Sequence, residues 1–516
     1  MKTSAKIGLA VLSGLLIAAA WPVGGFAPLA FVAFVPLLFL QDRVGFSWFY
    51  YITFLIWNAL TTWWVWKTTA AGTIGMILLN SLFMTCVFWA YGFVKTKLYD
   101  NKKGYYLLII FVLAFEYLHL NWQINWPWLN LGNVFSHYHT WVQWYEFTGI
   151  AGGTMWVLLA NIIIYKLLKN YKKSNVIYVL LILFVPLIVS KILYSSYEER
   201  GEDVEIVVVQ PNLDPYSEEF TLNARQIMER NLSVAAPLVT ENTRYVVSPE
   251  SAVQEDIWLE RIDKYYSIKE LRRFVSEFPN TCYVIGLSTL GMAPDSSGND
   301  FAARKFYDVD KYFYAYNTAS LITKDTIQYY HKSKLTPGAE AMPSWWFLRM
   351  LKNSALDLGG TVGTLKKDSE AKVLSFDNHK VGTLICYESV FGGYVTEFVK
   401  KGADLLFVIT NDGWWGNSPG HKQHLEFSKL RAIETRRSVA RSANTGISCF
   451  INQRGDIVEQ SKYWEQTALC NTLKTNNKLT FYVRYGDYIY KISVFLTALL
   501  VAMTFVKLIM KKQWKH

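Results

Sequence analysis

The sequence predicts a membrane α-helical bundle joined to a polar α/β domain, and three observations carry that prediction. Of 516 residues, 52% are hydrophobic and 16% aromatic, more than an ordinary soluble chain carries. That excess is concentrated in 6-194 and again in 488-510. Lysines cluster in every second connection between the apolar stretches, whereas 200-480 has the mixed texture of a globular domain, with strand-like and helix-like runs in alternation.

Apolar stretches near the ~20 residues that cross a bilayer fall at about 6-21, 25-40, 46-66, 72-94, 104-120, 151-168, 175-194 and 488-510, so eight transmembrane helices are expected. The first follows Lys2 and Lys6 and ends in Ala18-Ala19-Ala20, as a signal peptide does. A second span begins a few residues later, so an uncleaved helical hairpin is expected instead. Lys95, Lys97, Lys102 and Lys103 lie between spans four and five, Lys166, Lys169, Lys172 and Lys173 between six and seven, and Lys507, Lys511, Lys512 and Lys515 after the last. The 121-150 connection has no lysine or arginine. By the positive-inside rule the basic loops are cytoplasmic and the polar domain extracytoplasmic. The predicted organisation is 1-194 as a seven-span region, 195-487 as the outer domain, and 488-516 as a final helix with a basic tail.

The net charge of +11 is accounted for as orientation charge, so nucleic-acid binding is excluded from the reading. Cys86, Cys282, Cys386, Cys449 and Cys470 are odd in number and lack CxxC spacing, which signals neither a disulfide framework nor a structural zinc site. The 121-150 segment, rich in tryptophan, tyrosine and histidine, reads as an interfacial aromatic belt, with a lipid-facing entrance as the functional alternative. Glu116 inside the fifth span is an intramembrane acid, expected either to function or to pair with a polar helix neighbour.

In the outer domain, strands are expected at 205-210, 245-248, 283-288, 318-323, 381-385, 404-410 and 447-452, and helices at about 217-241, 258-277, 390-401 and 421-436. Polar residues stand just past several strand ends: Asn212, Glu250, Cys386 and Asn411-Asp412. Sites in α/β sheets gather there. Leu384-Ile385-Cys386-Tyr387-Glu388 presents a thiol after an apolar strand, Val246-Val247-Ser248-Pro249-Glu250 delivers an acid in the same way, and the turn-rich 330-340 segment carries Lys332. A thiol nucleophile needs a proton acceptor and a positive charge nearby. Glu250 supplies the first and Lys332 the second, with the backbone N–H of Tyr387 completing an oxyanion site.

Those motifs, in that order, resemble the carbon-nitrogen hydrolase (nitrilase) superfamily, whose site is a Glu, Lys and Cys set on an α-β-β-α sandwich. Together with the spans and Thr410-Asn411-Asp412-Gly413-Trp414-Trp415-Gly416, the whole chain is similar to the apolipoprotein N-acyltransferase family. The resemblance implies Glu250 as general base, Lys332 as oxyanion lysine, Cys386 as nucleophile, Glu340 and Glu388 as supporting acids, and Asn317 and Trp414 as pocket-shaping residues. Lys334 is the rival lysine and is expected at the surface. Where the family often has a tryptophan after Gln-x-Asn, this chain follows Gln210-Pro211-Asn212 with Tyr216 and Phe220.

The implied reaction is ping-pong. A phospholipid acyl chain moves to Cys386 as a thioester, then to the amino group of an S-diacylglyceryl cysteine at an apolipoprotein's amino terminus. No cofactor or metal is implied, the location is a bacterial inner membrane with the catalytic domain facing the periplasm, and a monomer is expected. The apolar segment 343-351, with Trp345 and Trp346, is expected to contact lipid substrate as an arm beside the site, or else to form a buried helix. His421 and His424 share a helix face, a spacing that suits metal but is expected here to serve hydrogen bonding near a helix start. Arg431, Arg436, Arg437 and Arg441 are expected in structural ion pairs rather than on phosphate headgroups. Two rivals use the same features: a membrane-tethered amidase for small amides, and a polytopic transporter or scaffold with an inactive hydrolase domain.

Overall fold

The computed structural model describes residues 1–513 apart from 45–46, 100–102, 219–220, 295–296, 298–299 and 342–363. Two compact units emerge: Met1–Tyr197 with Tyr485–His516, and Glu198–Arg484.

In the first unit, five helices among the described residues are long and apolar enough to cross a membrane: Thr3–Ala20, Ala70–Tyr99, Ile150–Lys169, Lys173–Ser196 and Tyr488–Lys511. The other three expected spans are shorter or broken. Ala27–Gln41 is interrupted by Pro28 and Pro36, each at the start of a helical turn. Phe49–Thr62 tightens into a 3₁₀ turn over Trp63–Lys67, and the third is Leu107–Asn121. Several polar side chains inside this unit pair with one another or with backbone carbonyls, which offsets their cost in a low-dielectric surrounding. Asn80 Nδ2 donates to Asn58 Oδ1 at 2.7 Å, and Asn161 Nδ2 to Ala30 O at 2.7 Å. Asp42 accepts from Lys95, Tyr105, Tyr165 and Lys169.

Glu116 is buried and paired: it accepts from Leu131 N at 2.7 Å, Thr154 Oγ1 at 2.8 Å and Tyr490 OH at 3.0 Å. The pairing reading of this acid therefore holds. In the 121-150 segment the rings divide between core and surface. Trp128, Leu129, Val134, Phe135 and Tyr145 are buried within the unit, in short 3₁₀ turns and one helical turn. Trp122, Trp126, Trp141 and Trp144 keep part of their surface open and Phe147 is exposed, so ring area goes both to packing and to the outer surface.

The second unit is built on two sheets. The first contains β1 (Asp203–Gln210), β2 (Thr243–Val247), β3 (Val253–Trp258), β4 (Cys282–Met292), β5 (Arg304–Lys305), β6 (Tyr312–Ile322) and β7 (Ile327–His331). The second contains β8 (Leu374–Phe376), β9 (His379–Ile385), β10 (Leu405–Thr410), β11 (Val439–Ala443), β12 (Cys449–Ile451) and β13 (Ile457–Gln460). β14 (Thr467–Lys474) returns to the first sheet beside β1, giving the order β14-β1-β2-β4-β6-β5, with β3 on β4 and β7 on β6. The second sheet runs β13-β12-β11-β10-β9-β8, with β9, β10 and β11 parallel.

Period-two alternation sorts each strand between two cores. In β1, Ile206 and Val208 join the core shared with Val381, Phe407 and Ile409 of the second sheet. Val207 and Val209 face the other way, toward Met228, Leu271 and Phe274 of the Ala224–Ala235 and Tyr266–Glu277 helices. The Gly392–Lys400 and Pro419–Thr435 helices add Val395, Phe398, Leu425 and Ala432 to the inter-sheet cluster, and β10 is buried along its whole length. The layers are thus helix, sheet, sheet, helix, and truncating one of these core side chains to alanine costs about 2–5 kcal/mol.

The expected strands are all present. β3, β5, β7, β8, β11, β13 and β14 were not anticipated, because strands such as β7 (Ile-Gln-Tyr-Tyr-His) and β11 (Val-Ala-Arg-Ser-Ala) lack an apolar run. The helix expected at 217-241 shortens to Ala224–Ala235, capped by Asn223 with Gln226 in a reciprocal pair.

Candidate active site

Four strand ends converge on one locus. β2 runs into Ser248-Pro249-Glu250, β7 into Lys332, β9 into Cys386 and β10 into Asn411-Asp412. Gly286 of β4 is what lets the Glu250 turn come close: a Cβ there would stand 2.6 Å from Glu250 Cα and 2.5 Å from Ser251 N, and the Gly286 N–H donates to Pro249 O at 3.0 Å.

Lys332 is 1% exposed, with Nζ 2.9 Å from Glu250 Oε1 and 2.9 Å from Glu340 Oε1. Asn317 Nδ2 bridges the same two acids, at 2.8 Å and 3.0 Å, and Asn411 N donates to Glu250 Oε2 at 3.1 Å. Burial acts to lower the Lys332 pKa, yet the two carboxylates prevail and hold the ammonium well above its ordinary range. Burial acts to raise Glu340, and Lys332 overrules it, so that acid is held low. The Cys386 thiol responds first to burial and then to the Glu250 charge, both of which push it well above the usual thiol range, with Lys332 opposing. The resting sulfur is therefore a protonated thiol beside a carboxylate that can take its proton.

Cys386 has φ of 50°, a left-handed conformation rare for a residue with a side chain. A short 3₁₀ turn, Cys386–Val390, follows directly. Glu388 fastens this turn to the lysine segment: fully buried, it accepts from Tyr330 OH at 2.5 Å, Ser333 N at 2.7 Å, Lys334 N at 3.2 Å and Ile385 N at 2.9 Å. Burial pushes its carboxyl up to about 7. Glu340 accepts in addition from Thr336 N at 2.8 Å, which closes the loop that carries Lys332.

The structure brings together Glu250, Lys332, Cys386, Glu340, Glu388, Tyr387 and Asn317. Trp414 lies on the β10 side, its ring 5.3 Å from that of Tyr216 and its carbonyl accepting from Tyr216 OH at 2.7 Å. Trp345, Trp346 and the rest of the 343-351 segment, together with Phe220, lie outside the described residues. Lys334 departs from expectation: it is half-buried, its ammonium 5.4 Å above the Phe391 and Tyr394 rings, because a lysine stem covers apolar surface while its charge meets an aromatic face.

Behind the nucleophile lies a buried array that the motifs did not announce. Asp412 accepts from Thr410 Oγ1 at 2.8 Å and from Arg441 Nη2 at 2.5 Å, and His424 Nδ1 lies 2.9 Å from it. Despite burial, Arg441 and His424 hold the Asp412 carboxyl far below the usual range. The Cys386 sulfur, an Asp412 oxygen and a His424 nitrogen lie within 4.8 Å of one another. Of the three, Asp412 and His424 are tied to each other and to Thr410 and Arg441 by hydrogen bonds. Arg431 pairs with Glu434 and Arg441 with Asp412, as expected, whereas Arg437 donates to the carbonyls of Ala403 and Lys478 and Arg436 to that of Gln453.

His421 differs from His424. It is 1% exposed, neither ring nitrogen has a hydrogen-bonding partner among the described residues, and its ring stacks on Tyr463 at 4.3 Å. Burial holds its pKa down at about 4 against 6.5 when free. A depressed histidine contributes stability that is complete above pH 6.5 and is lost as pH falls toward 4, here about 3 kcal/mol. Thermal unfolding followed from pH 7.5 to pH 4.5 is therefore expected to steepen below 6.5, and His421→Phe, which keeps the stack, is expected to flatten that slope. An equally steep slope in the variant would assign the acid loss to other groups.

A family model described as the apolipoprotein N-acyltransferase N-terminal domain matches residues 13–163, and one described as carbon-nitrogen hydrolase matches 281–476. Lys332 and Cys386 fall inside the second match, and Glu250 precedes it. The chain is 28% identical to the apolipoprotein N-acyltransferase of Chlorobaculum tepidum, covering 93% of this chain and 92% of that one. For those of Geobacter metallireducens and Thermotoga maritima the identities are 27% and 25%, with 93% and 95% of this chain covered and 91% and 92% of theirs. Among solved structures, Saccharomyces cerevisiae Nit3, a nitrilase-superfamily member, aligns with a TM-score of 0.38 and 15% identity over 53% of this chain and 90% of that one, a likeness too low to argue from.

Proposed function

We propose that this chain, a relative of the apolipoprotein N-acyltransferases along nearly its whole length, transfers an acyl chain from a phospholipid to the amino-terminal S-diacylglyceryl cysteine of apolipoproteins, through a thioester on Cys386. The observation that carries the reading is the buried contact of Lys332 with both Glu250 and Glu340 beside a strained cysteine, in a chain that also has membrane-length helices.

In the first half-reaction Glu250 takes the thiol proton and the sulfur attacks the ester carbonyl. Lys332 Nζ and the Tyr387 N–H hold the oxyanion, and Glu250 returns the proton to the departing glycerol oxygen. A lysophospholipid leaves. In the second, the acceptor amine attacks the thioester, Glu250 removes its extra proton, and the tetrahedral adduct collapses to an amide with the thiol restored. A thioester suits this order because it stores the acyl group in a form reactive toward amines while two bulky lipids take turns.

We further assign eight membrane spans, with the 195-487 domain on the extracytoplasmic face of a bacterial inner membrane. The loop charge pattern supports that orientation.

Intact-protein mass spectrometry after incubation with a defined phospholipid tests the reading. Wild type is expected to gain one fatty-acyl mass, Cys386→Ala none, and a diacylglyceryl-cysteine peptide is expected to remove that mass and carry it away. Hydrolysis of small amides with no adduct from any phospholipid would overturn the reading in favour of an amidase.

A further inference from the structure

The Cys386 carbonyl oxygen and the Tyr387 N–H belong to one peptide group. In a planar trans peptide they point in opposite directions, so whatever fixes the carbonyl also aims the N–H. Two side chains fix it: Ser389 Oγ donates to Cys386 O at 2.8 Å, and His424 Nε2 lies 3.1 Å from the same oxygen and 2.8 Å from Ser389 Oγ. At the other edge of the ring, Nδ1 lies 3.1 Å from Arg441 Nη2 and 2.9 Å from Asp412 Oδ1; with Nδ1 accepting from Arg441, which also anchors Asp412, the single ring proton sits on Nε2 and faces the Cys386 oxygen. Ser389, His424, Asp412 and Arg441 are each 0% exposed. Seven residues along the same helix, Arg431 Nη1 donates to Ser389 O at 3.3 Å and Val390 O at 2.8 Å, so one helix grips the turn at both ends.

We infer that His424 and Ser389 are positioning residues that lock the 386–387 peptide plane and thereby aim the Tyr387 N–H at the oxyanion. This inference rests on the acyl-transfer reading of the site. The lock has a physical need. Cys386 sits at φ of 50°, where a side-chain-bearing residue is strained, and a strained peptide rotates unless its surroundings oppose it. A donor aimed at the oxyanion before the reaction needs no reorganisation during it, whereas a rotating one loses most of its effect.

The role separates from any action on sulfur by comparing two reagents. Acylation by p-nitrophenyl butyrate passes through an oxyanion, whereas alkylation by iodoacetamide substitutes at a saturated carbon and does not. Wild type, Ser389→Ala, His424→Ala and His424→Gln in detergent would each be followed by mass for both reactions and by thermal unfolding. Ser389→Ala and His424→Ala are expected to slow acylation about 10- to 100-fold at saturating ester, with the half-saturating ester concentration within about twofold of wild type and alkylation within about threefold. His424→Gln, which still carries an N–H, is expected to recover most of the loss. Equal slowing of both reactions would overturn the inference, since the residues would then act on the thiol, and so would unchanged acylation. Should His424→Ala not fold, Ser389→Ala decides alone. Failure of wild type with phospholipid but acylation by the activated ester would sink the proposed substrate while leaving this test intact. Acylation of wild type by neither would sink both.

Discussion

Replacing Lys332 by methionine is expected to slow acyl-enzyme formation by at least about 10³-fold and to destabilise the catalytic unit by about 3–5 kcal/mol. Both effects have one cause. Lys332 Nζ is shared by Glu250 and Glu340 at 2.9 Å each, with the lysine side chain 2% exposed. Methionine fills the volume and leaves the two carboxylates facing one another without a cation. Breaking such a contact costs far more than the contact contributes net, because the stranded charges keep their desolvation penalty. The rate falls for a further reason: the ammonium is also the strong donor for the oxyanion and the charge that offsets the thiolate. A second substitution separates the two roles. Adding Glu340→Gln to Lys332→Met removes one of the facing charges and is expected to return much of the stability, read by thermal unfolding, and none of the rate, read by thioester mass. Joint recovery of rate and stability would show that Lys332 only neutralises its neighbours. Arginine is expected to fail as well, since a planar fork does not fit between two carboxylates set for a point charge.

How much of this was legible in the sequence depended on what kind of signal each residue left. Glu250 and Cys386 end apolar strands, and a polar residue at the end of such a strand is visible in one dimension. Lys332 follows a strand with no apolar run, so its place came from the family wording and not from periodicity. Lys334 was assigned to the surface because a lysine two residues from the site gives no hint of rings at 391 and 394, which arrive from a different helix and turn. The His424 array was hidden for the same reason. Asp412, His424 and Arg441 are contributed by a turn, a helix and a strand, and only the packing of the Pro419–Thr435 helix against the nucleophile turn joins them. The spacing of His421 and His424 suits a metal pair, with hydrogen bonding near a helix start as the expectation; His424 makes such hydrogen bonds, to Asp412 and at the nucleophile turn, whereas His421 stacks on Tyr463. The division of the aromatic 121-150 loop between core and surface was illegible for a simpler reason. Aromatic composition fixes how much ring area must leave water and does not say whether lipid or protein receives it.

Glu250→Gln is expected to cost about 10³-fold in acylation at neutral pH and comparatively little in stability. Gln keeps an acceptor for Lys332 and Asn317, which both reach Oε1, and sets a donor against Asn411 N–H at the Oε2 side. One such conflict costs about 1–3 kcal/mol. The chemical loss is larger, because an amide cannot accept the thiol proton. Burial already holds the Cys386 thiol well above the ordinary range, so at pH 7 very little thiolate forms without a base beside it. That makes the pH dependence diagnostic. With the base gone, attack must draw on thiolate formed by solvent, so the variant's acylation rate is expected to rise about tenfold per pH unit from pH 7 to pH 9, because the thiolate fraction rises by that factor while pH lies below the thiol pKa. Wild type, with an internal acceptor, is expected to vary much less over the same interval. Near-parallel profiles, or a variant that acylates within tenfold of wild type at pH 7, would remove Glu250 from the role of base and return the question to which neighbouring group receives the proton.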